Sequence, residues 1–130
     1  MQQKKLKNKY PINVLTVQKT KTHFATVDDI IEHLRKKVES HPIATYIGIF
    51  DHYAHTKRLG DQGKLDSSIL QAKNIICCFG KELLNADVMA VRPRSIGVVE
   101  TNENFIISFM DAPNPQGHAS MLEWVESIKK

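Results

Sequence analysis

Two short stretches hold most of the side chains that could do chemistry. The first is Asp51-His52-Tyr53-Ala54-His55. Two imidazoles three residues apart, with a carboxylate able to orient one of them, are half of a metal site. The spacing converges on an ion only in a helix, and no third ligand stands nearby in the sequence. The expectation is therefore a loop with solvated or hydrogen-bonded histidines and no bound metal. The second stretch holds Arg92 and Arg94, either side of Pro93. Two guanidiniums at the junction of two elements can clamp a carboxylate or phosphate. The competing use is ion pairing with acids such as Glu100, Asp87 or Asp111.

Cys77 and Cys78 are the only cysteines. Adjacent residues of a strand point to opposite faces, and a vicinal disulfide is strained, so both are expected as reduced thiols. Thiol catalysis needs a lowered pKa, supplied by an imidazolium, a basic side chain or a helix N-terminus. Lys81 follows Cys78 by three residues, and His52 is the candidate imidazole. The candidate site residues are therefore Asp51, His52, His55, Cys78, Lys81, Arg92 and Arg94. The chain has no Gly-rich phosphate loop, no nucleophile elbow and no Cys/His array with zinc spacing. No catalytic residue, metal or cofactor is assigned.

The elements that must position these residues follow from periodicity. Arg92 to Pro113 predicts a hairpin: Ile96 and Val98 alternate with Gly97 and Val99, and Phe105, Ile107 and Phe109 alternate with Ile106, Ser108 and Met110. Thr101 to Asn104 is the turn between them. Apolar residues on both sides of the second strand predict a central strand, covered by helices on at least one face. Pro11 to Gln18 predicts a first strand. Thr26 is a helix N-cap with Asp28 and Asp29 in the first turn, and Val27, Ile30, Ile31, Leu34 and Val38 recur at helical spacing, which predicts a helix over Val27–Ser40 with His33 exposed beside the stripe. Ile43–Phe50 and the apolar Asn74–Phe79 read as strands, Lys81–Val91 and Ala119–Lys130 as helices. Thr56 to Lys73 is a long polar connection, suited to a lid or binding loop. The order β-α-β-(loop)-β-α-β-β-α predicts an α+β two-layer sandwich, with a mostly antiparallel sheet and its helices on one face.

The 130 residues fit a single domain. The net charge of +4 is uneven: residues 1–21 hold six lysines and no acid. Residues 1–10 are expected as a basic arm and 11–130 as the domain. Lys4, Lys5, Lys7 and Lys9 could touch nucleic acid, but no aromatic is interleaved among the first nine residues, so a solubilising end is the expected use. No apolar run is long enough to span a bilayer, and no apolar segment follows the N-terminal lysines, so a cytoplasmic protein is expected.

From Thr26 to the C-terminus the pattern resembles DUF-302, a family of small bacterial and archaeal α+β domains of unknown function. The similar features are Ile49-Phe50-Asp51-His52 at a strand end, Phe79-Gly80 closing a buried strand, Met89 in the next segment, and a hairpin closing on Asp111-Ala112-Pro113. The chain departs from that pattern in Lys81-Glu82 after Phe79-Gly80, in Ala112 between Asp111 and Pro113, and in the connection after His55. The resemblance implies a fold, a tendency to oligomerise and a ligand-sized groove, and no reaction. Small-ligand binding, with an anion suited to the three cations at the sheet rim, is the leading expectation. A homodimeric interaction module comes second, and a thiol/His enzyme third.

Overall fold

The computed structural model describes residues 1–130, which form one six-stranded sheet backed by helices. The strands are β1 (Gln2–Leu6), β2 (Tyr10–Gln18), β3 (Thr45–Asp51), β4 (Gln71–Cys78), β5 (Arg94–Glu100) and β6 (Asn104–Met110). The helices are α1 (Val27–Ser40), α2 (His52–Arg58) and α3 (Pro115–Glu126). The sheet order is β1-β2-β6-β5-β4-β3, and every neighbouring pair is antiparallel. The α+β two-layer architecture, the antiparallel sheet and the central β5–β6 hairpin are as the periodicity predicts.

The α1 boundaries also agree. Thr26 Oγ1 accepts from the Asp29 N–H at 3.0 Å, and Asp28 and Asp29 lie in the positive first turn. The predicted stripe is the buried one: Val27, Ile30, Ile31, Leu34 and Val38 pack with Met121, Trp124 and Val125 of α3 on Leu15, Ile75, Ile96, Val98, Phe105 and Ile107. Fully burying a side chain such as Leu34 or Ile30 contributes about 2 kcal/mol. His33 is half-buried instead of exposed. Its ring tilts on Phe24 at 4.9 Å and its Nε2 lies 2.8 Å from Ser127 Oγ.

Several expectations need correction. The N-terminal ten residues hold β1, which pairs with β2 through a turn in which Lys7 and Asn8 adopt positive φ. Asn tolerates that conformation. The Asp51–His55 segment is helical, because Asp51 caps it: its Oδ1 accepts from the Ala54 N–H at 2.9 Å. The connection from Thr56 is correspondingly shorter, and β4 begins at Gln71. Lys81–Val91 is no α-helix; only a 3-10 turn over Ala86–Val91 forms, capped by Asn85. The reason is packing: Leu83 and Leu84 stay 70% and 79% exposed, so the apolar side of such a helix gains no burial within the chain. Conversely, α3 starts at Pro115, four residues before the predicted start, because Asn114 Oδ1 accepts from the Gln116 and Gly117 N–H groups and Pro115 suits the first helical position.

Candidate functional site

One concavity lies where β4 ends, β5 begins and α3 starts. Its floor is Phe79, the buried residue that follows β4. Phe79 stacks on Trp124 of α3 with ring centroids 5.2 Å apart, and the His41 ring meets it edge-on at 5.5 Å. His41 is held in turn by its Nδ1, which accepts from the Ile43 and Ala44 N–H groups at 3.1 Å. A neutral His41 therefore carries its proton on Nε2, toward Ser120 Oγ.

Two glycines make room at this end. A β-carbon on Gly80 would come within 2.6 Å of the Arg92 guanidinium, so that guanidinium lies flat over the bare backbone. Gly117, in the first turn of α3, lets the helix approach Phe79; a β-carbon there would lie 3.3 Å from the Phe79 ring. Between these walls is a cavity of about 270 Å³, lined by Phe79, Gly80, Val91, Arg92, Arg94, Gly117 and their neighbours. No acidic side chain is among its ten lining residues. It continues past Phe79 and Gly117 to His41. On the other side of Arg92 a hollow of about 330 Å³ is walled by Ile47, Cys78, Lys81 and Met89.

The two arginines are not equivalent. Arg94, the first residue of β5, donates through Nη2 to the Met110 and Asp111 carbonyls at 2.6 and 2.9 Å, and its buried Nε has no partner. Arg94 thus ties the start of β5 to the end of β6. Arg92 spends only Nη1, on the Glu82 carbonyl at 2.7 Å, and leaves Nε and Nη2 free. Neither makes the salt bridges expected as the competing use. Glu100 pairs with Lys19 at 2.6 Å, and the Asp111 carboxylate accepts from Asn13 Nδ2 at 2.7 Å. The α3 N-terminus adds little to the site: Pro115 has no N–H, and Asn114 already takes those of Gln116 and Gly117.

Four of the seven candidate residues, Cys78, Lys81, Arg92 and Arg94, meet at this end of the sheet. Asp51, His52 and His55 do not join them. Asp51 sits opposite Lys73 and Arg94 opposite Cys77, which puts roughly 13 Å of β4 between the two groups. His52 and His55 lie on one face of α2, with centroids 6.1 Å apart and both against Phe50. No group of three potential metal ligands forms anywhere. The same separation parts His52 from both thiols. Burial, with a further push from Cys78, holds the Cys77 thiol up at about 11 against the opposing pull of Arg94, so it stays protonated at neutral pH. Cys78 points to the opposite side of β4, where its Sγ accepts from the Gly80 N–H at 3.3 Å.

The sequence reasoning missed Phe79, Gly80, Asn114 and Gly117 as wall residues. The available signal was Asn114-Pro115, a cap residue followed by a first helical residue, with Gly117 two positions on. The lysines of the first ten residues form no single patch, since Lys4 and Lys5 alternate across β1 and Lys7 and Lys9 lie in the turn. No helix is long and apolar enough to cross a membrane. No curated protein and no solved structure matches the chain. A family model does match it, over residues 1–130: the chain belongs to the family of unknown function DUF6858.

Proposed function

We propose that this domain binds a small anionic ligand with an apolar body in the cavity over Phe79. One observation carries the proposal: a guanidinium with free donors, Arg92, faces a largely apolar cavity with no acid in its lining. Arginine presents a planar fork to carboxylate or phosphate, and an apolar body gains contact with Phe79 and Val91. The volume lies just under the usual range for small-molecule sites of about 300–1,000 Å³, which suits a ligand of one ring or a short branched chain. Arg94 sets the wall and Arg92 is the clamp.

The likeness to DUF-302 domains bears on this reading through Phe79, Gly80 and Ala112, which line the cavity, and not through Asp51 and His52, which lie at the other end. A cytoplasmic setting suits two adjacent thiols that remain unpaired. The test is titration of the full chain with benzoate and phenyl phosphate, followed by calorimetry and by amide chemical shifts. Saturable binding that perturbs Gly80 and Gly117, and that Arg92→Ala abolishes without loss of the fold, is the expected result. Binding by neither probe, or equal binding by the Arg92→Ala protein, would remove the proposal.

A further inference from the structure

The side of the sheet away from α1 and α3 is covered only at its β3 corner, where His52 and His55 of α2 lie against Phe50. An antiparallel sheet with one solvated face ordinarily alternates apolar-in and polar-out. This sheet does not. Ile12 and Val14 of β2, Ile106 and Met110 of β6, Val99 of β5 and Ile76 of β4 all point to the uncovered side, as the register shows. One row across all six strands on that side reads Gln2, Val14, Ser108, Gly97, Asn74 and Phe50, without a charge.

From these observations we infer that the uncovered sheet face is the interface of a homodimer, met by the same face of a second copy. Charge is the first argument for a second copy. A two-fold axis lays a patch on itself, so any cluster of one sign would repel its image. About a quarter of the chain is charged, yet strand positions pointing to this face include only Lys4, at the β1 edge. Depletion of charge marks the core of protein interfaces. A strongly charged partner would find no countercharge here, and an anionic bilayer would find one lysine.

Size is the second argument. Six strands about 4.8 Å apart, most of them seven to nine residues long, give a footprint of roughly 24 by 23 Å. A stable interface takes about 800 Å² of accessible surface from each partner, so it needs the whole of such a pleated face. The exposed apolar residues concentrate there. Of fourteen large ones, Leu6, Tyr10, Ile47, Phe50 and Met110 are on the face, and four more belong to the segment 83–91 that adjoins it through the Ile47–Cys78 hollow. The sheet edges are poorly suited to pairing instead. β3 carries a bulge between Tyr46 and Gly48, and β1 presents Lys4 and Lys5. Ile47 and Cys78 belong to both face and hollow, so the second copy also covers the Cys78 thiol.

Sedimentation equilibrium of the full chain over a range of concentrations tests this, with Met110→Glu and, separately, Ser95→Glu, each an exposed residue on the face. Ala119→Glu, exposed on α3, is the control. The wild type and control are expected at twice the 14.8 kDa chain mass. The face variants should associate at least about 100-fold more weakly, since each buries an unpaired charge in an apolar interface. Cys78 labelling by an aromatic disulfide should slow as wild-type concentration rises, and should not in the variants. If Met110→Glu fails to fold, Ser95→Glu decides. A wild type of single-chain mass at every concentration overturns the inference. So does a dimer that survives both charges, or a monomer whose face takes up phospholipid vesicles instead.

Discussion

The two ends of the sheet start from comparable raw material and finish differently. At one end, Asp51, His52 and His55 have the residue types of a metal or acid–base site. At the other, Arg92 and Arg94 are plain cations beside Phe79. The histidine end lies on a seven-residue helix with no second element facing it; Asp51 is consumed as a cap, and the imidazoles rest on Phe50. The arginine end is walled by the ends of two strands and the first turn of α3, with Gly80 and Gly117 leaving the space open. Reactive side chains do not make a site unless elements converge around them. At the arginine end elements do converge, and they leave a walled cavity beside a guanidinium with free donors.

Point substitutions at the two ends test that contrast. The largest effect belongs to Phe79→Ala. Removing a buried ring stacked on Trp124 should lower stability by about 3 kcal/mol in urea denaturation and abolish probe binding with it. Arg94→Met should cost about 2 kcal/mol, because the Val91, Met110 and Asp111 carbonyls lose a donor; a cost near zero would mean that Arg94 does not hold β5 to β6. Gly80→Ala should leave the fold intact, since the clash falls on the flexible end of Arg92, and should weaken benzoate binding about tenfold, worth about 1.4 kcal/mol. His52→Ala and His55→Ala should each change stability by less than about 0.5 kcal/mol and leave probe binding unchanged. A loss of binding in either would rejoin the two ends.

The smallest effect is one of pH. Burial, then Lys37 and Lys36, lower the pKa of His33 from its ordinary 6.5. The unfolded chain then binds a proton that the folded one refuses, so stability is full above pH 6.5 and is lost as pH falls from there through the depressed value. Denaturation midpoints on either side of 6.5 should show a smaller acid-side loss in His33→Gln than in the wild type. An unchanged loss would place the sensitive group elsewhere.

Where local signals and tertiary packing agreed, the fold was legible. Thr26, Asp28 and Asp29 with the stripe from Val27 to Val38 mark α1 at its true boundaries, because capping and amphipathicity are both read within one helix. The alternation of Ile96 to Met110 marks the central hairpin because its partner strand is close in sequence. The segment from Lys81 to Val91 misled for the opposite reason. Its leucines have helical spacing, but spacing only predicts a helix if the apolar side is buried within the chain, and Leu83 and Leu84 are not. The same limit applied to the site. Arg92 and Arg94 were found because they flank a junction, but Gly80 and Gly117 act by what they omit, and an omission matters only once a neighbour is in place.

The class of fold, the central hairpin, the identity of α1 and the reduced state expected of the two cysteines are thus legible in the residues alone. These rest on contacts between near neighbours and on composition. Only the tertiary structure decided that Phe79, Arg92 and Gly117 share a cavity, that the histidines stand apart from it, and that one apolar side of the sheet is covered only at its β3 corner. Each of those depends on register between strands distant in the chain, and a register shift of one residue would turn every side chain to the other face.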